Sequence, residues 1–104
     1  MAGGAGVVRR GVTNVTWEVT KREYEQLRAQ YPAFCGCDTC HGDVLIYALN
    51  RLAPHYVSTR QGEVLAELGL ATDQERAKLS VVLLEGFRRV ALAPRCGAKP
   101  VVLA

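Results

Sequence analysis

The spacing of four cysteines constrains this chain more than any other feature. Three of them form one CxCxxC run, Cys35, Cys37 and Cys40, and the fourth, Cys96, stands near the C-terminus. Thiolates this close together can converge on a single ion at little loop-closure cost, and zinc accepts three or four of them tetrahedrally. Cys35, Cys37, Cys40 and Cys96 are therefore the candidate ligands of a structural Zn2+, with Cys96 tying the C-terminus to the knuckle. His41, a water molecule or a residue of another chain compete for the fourth position. The bland reading, unrelated free or core cysteines, is weighed against this, since free cysteine is commonly a small core residue.

Two sharper readings of the same residues rank below the zinc reading. Cys37-Asp38-Thr39-Cys40-His41 matches CxxCH, the attachment motif of c-type haem. The chain shows no export signal and its single methionine is Met1, so neither maturation nor a Met axial ligand is provided for. A thiol oxidoreductase would place CxxC at a helix start after a strand in a βαβ pattern, which is missing here.

At 104 residues the chain can bury one core and has no room for a second domain. No apolar run is long enough for a membrane helix, so no membrane association is expected. The cytoplasm is the expected compartment, where clustered cysteines serve metal or redox chemistry more readily than cross-linking. The net charge of +3 is spread along the chain without a basic block, and direct nucleic-acid binding ranks low.

Residues 1–13 read as a flexible N-terminal tail, 14–95 as one helical domain and 96–104 as a C-terminal tail. Asn14 is an N-cap for a first helix bearing Trp17, Tyr24, Leu27 and Tyr31 on one stripe and ending at Pro32. A second helix starts between Asp38 and Asp43. Val44, Leu45, Ala48, Leu49 and Leu52 form its core face, while Asp43, Tyr47, Asn50 and Arg51 recur at i, i+4, i+7 and i+8 on another. Pro54 stops it, and residues 55–59 are extended. Gly62 makes a turn before a short helix with Val64, Leu65 and Leu68 inward. Thr72-Asp73-Gln74-Glu75 is a capping box opening a last helix with Leu79, Val82, Leu83, Gly86, Phe87 and Val90 on its core stripe. Val81 and Leu84 fall outside that stripe and hint at a subunit interface. The fold class expected is all-α: a small bundle of about four helices, one short extended segment and a cysteine knuckle.

From Cys35 to Val64 the sequence resembles the late-competence ComFB family of small bacterial proteins. The carriers are CxCxxC followed by Asp43-Val44, then residues 48–57 (ALNRLAPHYV), then Gly62-Glu63-Val64. Asn14 and Glu18 match the family's start. Ala53 departs from the family, which usually shows a proline there, and Tyr47 stands where a smaller residue is typical. The resemblance implies a homodimeric helical fold with cysteine-bound zinc, acting as a receptor for cyclic dinucleotides, chiefly cyclic di-GMP. The residues are compatible with it. Asp43 can accept from guanine N1 and N2, Arg51 can contact guanine O6 and N7 or a phosphate, and Tyr47 and Tyr56 can stack. Each also has an ordinary role: Asn50 as a cap, Asp43 as a helix N-terminal charge, Tyr56 as core, Arg51 as a solvated charge.

The leading expectation is a non-enzymatic receptor or adaptor that binds a cyclic dinucleotide and reports it to an unidentified protein partner. The alternative is a structural zinc module for protein–protein interaction in competence or DNA uptake, without a nucleotide. No Ser or Asp forms a hydrolytic triad with either histidine.

Overall fold

The computed structural model describes residues 8–103. In chain order these form β1 (Val8–Asn14), α1 (Val15–Arg28), α2 (Asp38–Leu49), β2 (Tyr56–Thr59), α3 (Arg60–Leu70) and α4 (Asp73–Leu92). The protein is mostly helical, as its periodicity predicts. The two strands pair antiparallel, with Thr13 opposite Val57 and Asn14 opposite Tyr56, and the register is irregular between Val8 and Thr13. The expected N-terminal tail is thus a strand from Val8 onward, and residues 1–7 lie outside the described residues.

Asn14 ends β1 and caps α1 at once. Its side-chain oxygen accepts from the backbone N–H of Thr16 at 3.1 Å and of His55 at 2.9 Å. Thr16 Oγ1 donates to the Ala53 carbonyl at 2.8 Å. Having spent its one hydrogen there, that hydroxyl accepts from His55, at 2.8 Å, which assigns the proton to Nδ1. The start of α1 is therefore bound to the segment that Pro54 releases from α2. Helix α1 ends at Arg28, a turn earlier than Pro32 alone requires, because Gln30 and Tyr31 donate to Leu27 and Arg28 in tight turns.

The core lies between α1, α2 and α4. Tyr24, Phe34, Cys40, Val44, Leu45, Ala48, Leu79, Leu83 and Phe87 are buried in it. The α4 stripe packs as its spacing predicts, with Val82 partly buried. Gly86 brings α4 against α2, since a Cβ there would stand 3.2 Å from the Tyr47 ring and 3.4 Å from Val44. Thr72 caps α4, accepting from Glu75 N–H at 3.3 Å.

Two expectations about the core are corrected. Val64, Leu65 and Leu68 face outward, at 42%, 62% and 64% exposure, and Glu63 is the buried residue of α3. Periodicity finds a stripe but not the element that covers it, and among the described residues α3 rests mainly on α1 and β2, with a little of α4. Trp17 is likewise at the surface, 37% exposed beneath Lys21, while Val15, Thr16, Thr20 and Tyr24 hold the buried positions of α1. Gly62 sits inside the first turn of α3 rather than in a turn before it, donating to the N-cap Thr59 at 3.0 Å. The segment after α4 has no regular structure, yet it is docked: Val101 N–H donates to the Ala91 carbonyl at 2.8 Å and Leu103 is buried.

Candidate functional site

Cys35 lies in the loop between α1 and α2, Cys37 is the N-cap of α2, Cys40 lies in the first turn of that helix, and Cys96 comes from the docked C-terminal segment. Gly36 makes the knuckle possible. Its φ of +70° is a left-handed conformation that side chains rarely adopt, and a Cβ there would collide with the Arg28 guanidinium. The four ligand atoms all lie within 4.8 Å of one another.

Their separations fit a metal. Four sulfurs each about 2.3 Å from a central zinc stand about 3.8 Å apart along the edges of the tetrahedron. Cys35 Sγ lies 3.8 Å from Cys96 Sγ, and Cys40 Sγ lies 3.5 Å from it. No disulfide joins them; all four are free cysteines. The donor set is all sulfur and suits zinc. His41 does not join it: its ring is stacked on Tyr24, with centroids 4.4 Å apart and planes 6° from parallel.

The surroundings act on the thiols in opposite directions. Cys37 Sγ accepts from Cys40 N–H at 3.5 Å, and that bond holds the free thiol down to about 7. The positive end of α2 acts in the same direction. Burial pushes Cys40 up, so it would release its proton to solvent readily only where a bound cation offsets the thiolate charge left behind. Arg28 against Gly36 brings positive charge to the knuckle. Arg95, one residue before Cys96, forms a bidentate ion pair with Asp43 at 2.9 and 3.0 Å. Its guanidinium holds the Asp43 carboxyl below the usual carboxylate range.

The polar stripe of α2 is only partly one surface. Arg51 lies over the Tyr47 ring, 3.6 Å from its centroid, and donates to the Tyr47 carbonyl at 3.1 Å. Arg89 of α4 approaches the same ring at 5.3 Å, and Tyr47 Oη donates to Glu85 at 3.2 Å. Asn50 is exposed as the C-cap of α2. Asp43 is committed to Arg95. Tyr56 is exposed on β2, opposite Asn14, and makes none of the ring contacts among the described residues. Sequence reasoning missed Arg95, Arg28, Glu85 and Arg89. Only Arg95 carried a signal, its place beside a candidate ligand.

Fold and site define a small helical protein in which two distant parts of the chain bring four thiols to one point able to hold a metal ion. A family model described as late competence development protein ComFB matches residues 13–94, and the chain belongs to that family. It is similar to the solved structure of the late competence protein ComFB from Bacillus subtilis, with a TM-score of 0.74 at 26% identity, covering 86% of this chain and 100% of that one. A comparison with curated proteins finds no match. Among the described residues no helix is long and apolar enough to cross a membrane.

Proposed function

We propose that this ComFB-family protein is a non-enzymatic adaptor of bacterial competence signalling. Cys35, Cys37, Cys40 and Cys96 hold a structural Zn2+, and the Tyr47–Arg51–Arg89 face receives a cyclic dinucleotide, cyclic di-GMP first. The observation that carries the ligand reading is one tyrosine ring with a guanidinium lying over it at 3.6 Å and a second at 5.3 Å, at the junction of α2 and α4. Guanidinium planes stack on nucleobases and pair with phosphates, so both halves of such a ligand find a partner there. Bound zinc supplies structure in this reading and no chemistry.

A cytoplasmic homodimer with a further protein partner completes the proposal, and the outward apolar side chains of α3 support a partnered surface. A second reading, a zinc module for protein interaction alone, is favoured by one observation. Asp43, the carboxylate suited to guanine N1 and N2, is already held by Arg95. Calorimetric titration of the zinc-loaded protein with cyclic di-GMP separates the two. Binding that Arg51→Ala weakens at least tenfold, with the melting temperature kept, supports the receptor. No heat and no thermal shift at tens of micromolar ligand leaves the interaction module.

A further inference from the structure

Of the four clustered thiols, Cys35 and Cys96 are exposed, Cys37 is half-buried and Cys40 is fully buried. A soluble oxidant therefore meets Cys35 and Cys96 first. Their sulfurs are 3.8 Å apart, near enough to bond after a small backbone adjustment.

At this pair both backbone positions lie outside helix and strand. Cys35 precedes α2, next to Gly36, and Cys96 follows α4 in a segment without helix or strand, next to Gly97 at a φ of +87°. Cys37 and Cys40 are the N-cap and first turn of α2, joined by the 3.5 Å contact from Cys40 N–H to Cys37 Sγ, and pulling either away unmakes the helix start. Cys40 lies closer to Cys96, at 3.5 Å, but it is in the first turn of α2 and packed in the hydrophobic core, so drawing it onto Cys96 disturbs both.

We propose that Cys35 and Cys96 are the oxidation site of this centre, a pair that hydrogen peroxide converts to a disulfide with loss of the bound metal while the C-terminal segment stays attached. The inference rests on the zinc reading above. One thiolate attacks a peroxide oxygen and becomes a sulfenic acid, releasing water once a proton is taken up. The second thiolate attacks that sulfur, forming the S–S bond and expelling hydroxide, which a second proton converts to water. Two thiolates lose two electrons in all, and one peroxide accepts them to give two waters. The two donors left, Cys37 and Cys40, no longer complete a closed site.

The oxidised state differs from a merely chelated one. The new bond spans the same two points as the metal, knuckle and C-terminal segment, so Pro94 and Val101 of that segment stay opposite Phe34, Val90 and Ala91 across the apolar cavity they share. Chelation removes the tie altogether.

The test treats the zinc-loaded full chain with excess hydrogen peroxide and follows zinc release with a metallochromic dye, free thiols by alkylation, and the bonded pair by tandem mass spectrometry of differentially alkylated peptides. Release of one zinc per chain with loss of two thiols, a Cys35–Cys96 link within one chain, and recovery on adding dithiothreitol and zinc are the expected results. Retention of metal and all four thiols overturns the proposal. So does a bond between Cys37 and Cys40, between Cys40 and Cys96, or between chains. If the protein neither carries nor takes up zinc, the zinc reading fails, and thiol counting with mapping on the same sample still decides whether Cys35 and Cys96 are the pair that oxidises.

Discussion

Truncating Phe87 should do more damage than any other single change in the core, and the damage should reach the metal. Phe87 is fully buried on α4. Its ring stacks on Tyr24 at 5.0 Å, meets Phe34 edge-on at 4.9 Å and lies 6.0 Å from Tyr31. Removing a buried phenylalanine costs about 3–5 kcal/mol through lost transfer energy and the cavity left behind. Three ring contacts, each contributing about 0.5–1.5 kcal/mol beyond area, put Phe87→Ala at the upper end of that range. A domain of this size has a total stability of roughly 5–15 kcal/mol, so the variant should be folded but marginal. Phe34 is the residue before Cys35, and a cavity beside it frees the knuckle to move. Urea unfolding followed by circular dichroism in excess zinc measures the first effect, and competition against a chelating dye measures the second. Phe87→Leu retains more of the volume and should recover most of both. A loss below about 1 kcal/mol for Phe87→Ala, or zinc affinity equal to the parent, would refute the reasoning.

Cys96→Ser should lower zinc content sharply while His41→Ala keeps it, read by elemental analysis of purified protein; equal zinc in the two would remove Cys96 from the ligand set. Tyr24 gives a pH prediction. Burial, the largest cause, pushes its hydroxyl from 10.0 up to about 12, so the neutral form stabilises the fold fully below pH 10, and that contribution is lost as pH rises toward 12. Among the described residues no group stands in good hydrogen-bond geometry to that buried hydroxyl, and the nearby Arg28 guanidinium only partly offsets the burial. Tyr24→Phe should therefore flatten the alkaline loss of stability in melts across that range without destabilising the protein at neutral pH, and a large neutral-pH loss would show an overlooked partner. Asn14→Ala should cost about 1–2 kcal/mol in thermal melts, since the amide caps α1 and also holds His55; a cost near zero would mean that water replaces both bonds.

Much of the site was legible because thiol chemistry depends on residue type and spacing. CxCxxC announces converging sulfurs, and Asn14 and Thr72 announce helix starts through local bonds that need no tertiary partner. The α4 stripe was legible for the same reason, since one helix face repeats regardless of what covers it. Where a neighbour had to be known, reading failed. Val64, Leu65 and Leu68 share a face, but nothing local says that α1 and β2 leave it open. Arg95 lies far in sequence from Asp43, and their ion pair follows from Cys96 being brought to the knuckle.

The chain by itself thus determined its helical class, its capped starts, its family and the three neighbouring thiols of the knuckle, because each depends on interactions within a few residues or on a recognisable string. Tertiary structure decided that Cys96 rather than His41 completes the cluster, that Asp43 is taken by Arg95, that β1 exists at all, and that the last residues are docked. These are long-range pairings, fixed by the burial of Tyr24, Val44, Leu83 and Phe87 in one core, and no local pattern specifies which distant residue that burial brings alongside.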